Sequence, residues 1–266
     1  MKIRELLLVV GTAFFLSSCA TVPPSTVIIP SVTTSSAATG VKTATPVVPQ
    51  VSPAVLHPDV THVVGPGETL GMIGQMYDVP AVAIASANHL KVSAALSPGR
   101  SLVIPKAAAF RSVITLFPSR KWKYIIIHHS ATEEGDSLAF DQYHLRRGFS
   151  GGVGYDFVID NGTLSKVDGE IETAPRWLKQ QDGRHCKASH MNKKAIGICL
   201  VGNFNEGKVT EAQMASLVYL VGTLRTYYRI PAKKIMGHGQ VPGADTDCPG
   251  KKFPWQEFKN RLGAFK

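Results

Sequence analysis

Tyr124-Ile125-Ile126-Ile127-His128-His129 and Gly197-Ile198-Cys199-Leu200-Val201 are two short runs of mainly apolar, β-branched residues. Runs of this length without polar alternation read as strands covered on both faces, the pattern of a sheet buried between helices. A third strand is expected over Tyr155 to Ile159, with Asn161-Gly162 turning the chain into a fourth over Thr163 to Val167. Thr210 and Gln213 have the spacing of a capping box, and Leu217, Leu220, Val221, Leu224 and Tyr228 then recur at helical spacing until Pro231 stops the helix. Strands alternating with helices make this half of the chain an α/β domain.

Upstream, residues 61–106 read as a smaller unit. Val63-Val64-Gly65-Pro66-Gly67-Glu68-Thr69-Leu70 opens it, and Leu96-Ser97-Pro98-Gly99-Arg100-Ser101-Leu102-Val103-Ile104-Pro105 closes it, each a short apolar strand beside a Pro-Gly turn. Between them Thr69 can cap a helix carrying Leu70, Ile73 and Tyr77, and Pro80 can start a second carrying Val82 and Ile84. This βααβ order resembles the LysM module, and the resemblance implies binding to the amino-sugar backbone of peptidoglycan. Gly71-Met72 stands where that family often has Trp or another bulky residue.

Further upstream the chain changes character again. Lys2 and Arg4 precede an apolar run from Leu6 to Leu16, which fits a secretory signal and is too short to span a bilayer. The run ends Leu16-Ser17-Ser18-Cys19, resembling the bacterial lipobox, so residues 1–18 are expected to be removed and Cys19 to carry lipid. Ala20 in place of Asp points to the outer membrane, facing the periplasm. Residues 19–60 are rich in Pro, Ser, Thr and Val with almost no charge, the composition of a tether rather than a core. As a flexible coil such a segment reaches roughly 35 Å, and fully extended about 125 Å. A bridge over 107–119 is expected to join the small module to a domain spanning 120–266.

The 266 residues carry 29 Lys and Arg against 19 Asp and Glu, a net charge of +10 that favours an acidic partner. A secretory address argues against nucleic acid and leaves a carboxylate-bearing polymer or a membrane. Cys19, Cys186, Cys199 and Cys248 form no CxxC pair and are too few for a disulfide scaffold. A Cys186–Cys199 bridge is left open by the sequence, and so is oligomeric state, with a monomer expected.

A catalytic zinc takes three protein ligands and leaves one position open. Strand alternation puts His128 and His129 on opposite faces, so only one can join a site. His238 and Cys248 lie in the Gly-rich segment His238-Gly239-Gln240-Val241-Pro242-Gly243-Ala244-Asp245-Thr246-Asp247-Cys248-Pro249-Gly250. Two histidines and one cysteine at separate places match no compact zinc spacing, and alone they say little.

The phrases around them say more. Ile126-Ile127-His128-His129-Ser130-Ala131-Thr132, Gly152-Val153-Gly154-Tyr155-Asp156-Phe157-Val158-Ile159, Ile196 to Phe204 and His238 to Gly250 stand in the order found in type 2 N-acetylmuramoyl-L-alanine amidases, a group that includes phage amidases and animal peptidoglycan recognition proteins. The resemblance implies a central mixed sheet flanked by helices and one zinc ion held by His128, His238 and Cys248. Two imidazoles and a thiolate leave a zinc ion one net positive charge, enough to acidify water and polarise a carbonyl. Tyr155 falls on the family's active-site tyrosine, a hydrogen-bonding rather than basic group at neutral pH. Thr246 stands where many relatives carry Lys and some Thr, offering a hydroxyl but no charge to a developing oxyanion. His185, Lys187 and Asn192 resemble a groove segment and are candidate substrate contacts. Lys187 or Arg176 could meet a peptide carboxylate.

The function implied is hydrolysis of the amide between N-acetylmuramic acid and L-alanine by a lipid-anchored envelope enzyme. A receptor that binds peptidoglycan without cutting it is the alternative, opposed by Cys248. A peptidase acting within the stem peptide would use a similar ligand set.

Overall fold

A five-stranded mixed sheet organises the larger half of the molecule, and its register sets the active face. The computed structural model describes residues 24–28, 57–119 and 121–265. Within these, the elements in chain order are β1 (Ser25–Ile28), β2 (Val60–Val63), α1 (Leu70–Tyr77), α2 (Ala81–Ala87), β3 (Ser101–Ile104), β4 (Val113–Leu116), β5 (Tyr124–His129), α3 (Ser137–Arg146), β6 (Phe157–Asn161), β7 (Asp168–Thr173), α4 (Pro175–Leu178), β8 (Ala195–Leu200), α5 (Glu211–Tyr228), β9 (Ile235–Gly237) and α6 (Trp255–Ala264). The signal, Cys19 and most of the tether lie outside the described residues. No helix among the described residues is long and apolar enough to cross a membrane.

The large sheet runs β7-β6-β8-β5-β9. β6 pairs with β7 antiparallel, while β6–β8, β8–β5 and β5–β9 are parallel. Because side chains alternate, β5 turns Ile125 and Ile127 into the main core and leaves Ile126 and His128 on the opposite face. α5 covers the core face with Met214, Leu217, Leu220, Val221 and Leu224. Its capping box forms as the sequence implies, with Thr210 accepting from the Gln213 amide and Gln213 accepting from the Thr210 amide. Trp177 of α4 is fully buried between Trp122, Phe157, Phe117 and Tyr228, and its indole N–H donates to the Thr115 carbonyl at 2.6 Å.

The small module closes on β2 and β3, which pair antiparallel, with α1 and α2 packed over Val64, Leu70, Ile73, Ile84, Leu102 and Ile104. Thr69 caps α1 by accepting from the Met72 amide, as expected. The module rests on the larger domain: a Cβ on Gly67 would stand only 3.0 Å from the Leu178 side chain, and Gly65 faces the Glu172 carboxylate.

Three expectations need correction. Residues 163–167 do not form a strand: Gly162 takes a left-handed φ of +81°, Lys166 N–H closes a turn on Thr163, and the strand starts only at Asp168. Residues 107–119 are not a free linker, because Val113–Leu116 is a strand whose Ile114 and Leu116 enter the main core. Ser25–Ile28, in the segment read as tether, pairs antiparallel with that strand, Val27 opposite Ile114, and Val27 packs against the core. Four alternating residues suffice for this because the apolar partner edge already exists.

Candidate metal centre

His128 is the penultimate residue of β5, on the face turned away from the main core. His238 follows β9, the neighbouring strand, and Cys248 returns in the loop beyond it. The three side chains bring one ligand atom each within 4.8 Å of one another. Cys248 Sγ lies 3.5 Å from His128 Nδ1, and the rings of His128 and His238 are 4.8 Å apart between centroids. Gly239 makes the loop possible: a Cβ there would stand 2.3 Å from the Thr246 carbonyl oxygen.

Burial, with the neighbouring His185, His238 and His129, holds His128 well below the usual imidazole range. Burial lowers His238 as well, so both rings are neutral and free to ligate. The Cys248 thiol is pushed up to about 12, chiefly by burial, with the His129 backbone N–H pulling the other way. A thiol so placed gives up its proton to a metal rather than to water. Two neutral nitrogens and one soft sulfur, partly open to solvent, fit zinc.

His185 stands behind this trio. Its Nδ1 is 3.0 Å from His128 Nε2, and its Nε2 is 3.3 Å from the Ala195 carbonyl. With Nε2 donating to that carbonyl, Nδ1 accepts from His128, which leaves His128 Nδ1 free on the side of Cys248. Burial depresses His185 to about 4, so this neutral tautomer persists. The ring lies against β8 because Gly197 has no side chain; a Cβ there would be 2.4 Å from the ring. His185 is buried with both ring nitrogens engaged inside the protein, which places it behind His128 rather than in the open groove expected of a substrate contact.

Asn192 lines a groove together with Lys187 and also braces its own loop. Its side-chain oxygen accepts from the amides of both His185 and Cys186, pinning the loop that holds the His185 ring. Arg176 is committed too, donating to the carbonyls of Val153, Asp182 and Ser150, so it clamps backbone rather than meeting a free carboxylate. Lys187 is exposed and lines a groove of about 500 Å³ with Arg184, Lys193, Ser150 and Phe149.

The Tyr155 ring is 5.2 Å from that of His128, and its hydroxyl bonds Cys199. Burial, with Cys199 and Cys248 nearby, keeps the phenol protonated far above its usual range, so it acts as a donor. Thr246 is exposed, and its hydroxyl oxygen accepts from the Cys248 amide at 3.2 Å, leaving its own hydrogen to donate elsewhere. Cys186, Cys199 and Cys248 are free thiols, so Cys186 and Cys199 do not pair. His129 accepts from the Phe204 amide on the opposite face of the strand, and His144 accepts from Gly154 ahead of Tyr155.

Residues 118–251, half of the chain, match the family model described as N-acetylmuramoyl-L-alanine amidase. The chain belongs to that family. Residues 62–105 of this amidase match the LysM domain model. The amidase is 29% identical to peptidoglycan-recognition protein SC2 of Drosophila melanogaster over 145 residues, covering 51% of this chain and 72% of that protein. The protein of the same name from Drosophila simulans matches equally. Among solved structures, the N-acetylmuramoyl-L-alanine amidase LysC from Clostridium intestinale is 34% identical, with 55% of this chain and 89% of that chain covered and a TM-score of 0.45.

Two features of the amidase site escape sequence reading. Asp156 is fully buried beside Tyr155, accepts from the Gly197 amide at 2.8 Å, and is raised to about 7 by burial. It ties β6 to β8 directly behind the tyrosine; nothing in Gly-Tyr-Asp-Phe marks that role. The packing of His185 under His128 depends on Gly197 in a different strand, a pairing that spacing does not reveal.

Proposed function

We propose that this amidase hydrolyses the bond between N-acetylmuramic acid and L-alanine in a zinc-dependent manner, as a lipoprotein anchored through Cys19. The supporting observation is the convergence of His128, His238 and Cys248 from three separate stretches of chain to within 4.8 Å. Zinc held there would supply Lewis acidity toward water and toward the scissile carbonyl. The chain's own residues do the rest. His185 fixes the His128 ring, Tyr155 and Thr246 offer hydroxyl hydrogens beside the site, and Asp156 holds the bend before β6 that carries Tyr155. Arg184, Lys187 and Lys193 give the neighbouring groove positive charge suited to stem-peptide carboxylates. The LysM module would hold the glycan while the site works on the peptide branch. An outer-membrane position facing the periplasm and a monomeric state complete the reading, with a signal over 1–18, a tether from 19 and an enzymatic domain from 120.

Digestion of purified peptidoglycan by the full chain, with and without chelator, tests this. The expected products are peptides with a free L-alanine amino terminus, absent after chelation and absent with Cys248→Ser. Tight binding without cleavage would support a receptor instead, and cuts within the peptide would support a peptidase.

A further inference from the structure

We infer that Asp160, Glu170 and Glu172 form a second cation site, remote in chemistry from the first and suited to a hard divalent ion such as calcium, magnesium or manganese. The three carboxylates bring an oxygen each within 4.8 Å of one another and all are buried. Two of them lie on β7, spaced by two so that they share a face. Asp160 arrives from β6 at the point where the β6–β7 register shifts between Ile159 and Asn161, the kind of bulge that re-aims a side chain.

Asp160 is the observation that asks for a ligand. It is fully buried, and neither of its carboxylate oxygens has a hydrogen-bond partner in the protein. An unpaired buried carboxylate is costly and either takes a proton or meets a cation. The neighbours are already engaged. Glu172 accepts from the Ser137 amide at 2.6 Å and from Lys166 at 2.8 Å; Glu170 accepts from the Val167 amide at 3.1 Å and from Lys166 at 3.3 Å. Lys166 is the one ammonium among these four groups, and burial beside Glu172 and Glu170 pushes the Asp160 carboxyl well above its usual range, so the cluster is short of positive charge. Glu68, across the seam in the LysM module, adds no relief because it is paired with His62 at 2.8 Å, and Asp136 caps α3. A divalent ion supplies the missing charge.

Oxygen-only donors distinguish this site from the His-His-Cys centre, which prefers softer metals. Its position also gives it a structural reach. Gly65 of the LysM module packs against the Glu172 carboxylate, so an ion here would sit under the contact between the two modules.

The test uses the full chain carrying Cys248→Ser, which disables the soft-metal centre, titrated calorimetrically with calcium, magnesium and manganese. One saturable equivalent is expected for at least one ion, in about the 0.1–1 mM range of extracellular calcium modules, with a rise in melting temperature. Asp160→Asn should weaken that binding by about tenfold or more, while Lys166→Met, which removes the competing ammonium, should tighten it. Should Asp160→Asn fail to fold, Glu170→Gln serves the same purpose. Absence of saturable binding up to about ten times that range, or equal affinity in the carboxylate variants, overturns the site. So does a stabilisation by mild acid that persists in Asp156→Asn but is lost in Asp160→Asn, which would mean that protons neutralise the cluster.

Discussion

Replacing His185 with Phe isolates the contribution of the residue behind the proposed metal ligands. The ring volume is roughly kept, so the pocket against Gly197 stays filled, but the acceptor for His128 Nε2–H disappears. In the metal-loaded protein His128 must keep its hydrogen on Nε2, and that buried donor then has no partner. Such an orphan costs about 1–3 kcal/mol. Loss of a partner orienting a ligand typically costs about 10- to 100-fold in metal affinity, or about 1.4–2.7 kcal/mol, and the two ranges overlap. The metal-free protein can move the proton to Nδ1, where Cys248 Sγ is 3.5 Å away, and so avoids most of the penalty. The loss should therefore fall on zinc affinity rather than on folding of the apo chain. Competition against a chromogenic chelator measures the first, and thermal melting in excess chelator the second. Zinc affinity within about twofold of the parent, or an equal loss in both measurements, would refute the orienting role.

Three further outcomes are expected. Trp177→Ala should destabilise the fold by about 3–5 kcal/mol in urea titration, since it empties a fully buried aromatic cluster and strands the Thr115 carbonyl. Asp156 has a folded-state pKa of about 7 against an ordinary 3.8, so the folded chain holds a proton that the unfolded chain has lost. Its stabilising contribution is complete below the ordinary value and fades as pH climbs toward 7, by at most about 4 kcal/mol. Asp156→Asn, which keeps an oxygen for the Gly197 amide, should flatten the fall in stability between pH 5 and 7; an unchanged slope would show that the carboxyl is ionised throughout. Val27→Asp should cost about 1–3 kcal/mol and expose the Val113–Leu116 amides to hydrogen exchange, with cleavage activity retained.

The parts of the fold most legible in the sequence are those where local chemistry and tertiary packing agree. Tyr124–His129 and Ala195–Leu200 are apolar because both faces of their strands are covered, and the Thr210–Gln213 cap needs no partner outside its own helix. The convergence of His128, His238 and Cys248 was readable only through phrases matched to a family, since nothing in their separations implies contact. Alternation did assign His128 rather than His129, and the two rings do face opposite sides of β5. The misses share a cause. His185 is a polar residue in a loop, which sequence treats as solvated, yet the loop folds under β5 and spends both its ring nitrogens on internal contacts, with Asn192 bracing it. Thr163 to Val167 has strand-like residues, but Gly162 turns the chain with a left-handed φ, the Lys166 amide closes a turn on Thr163, and Lys166 points inward to Glu170 and Glu172. α3 carries only one buried residue, so its pattern offers no apolar stripe to find.

The pairing of β1 with β4 changes how far a membrane mooring could let the enzyme roam. Ser25 is already fastened to the larger domain, and only five residues, six Cα-to-Cα steps, separate it from Cys19. Even drawn straight, that line pays out about 20 Å. With an acyl chain on Cys19, the hydrolase would graze the wall close above its own bilayer. Trimming the stretch between Ile28 and His57, which departs from and returns to the same body, would leave that altitude unchanged.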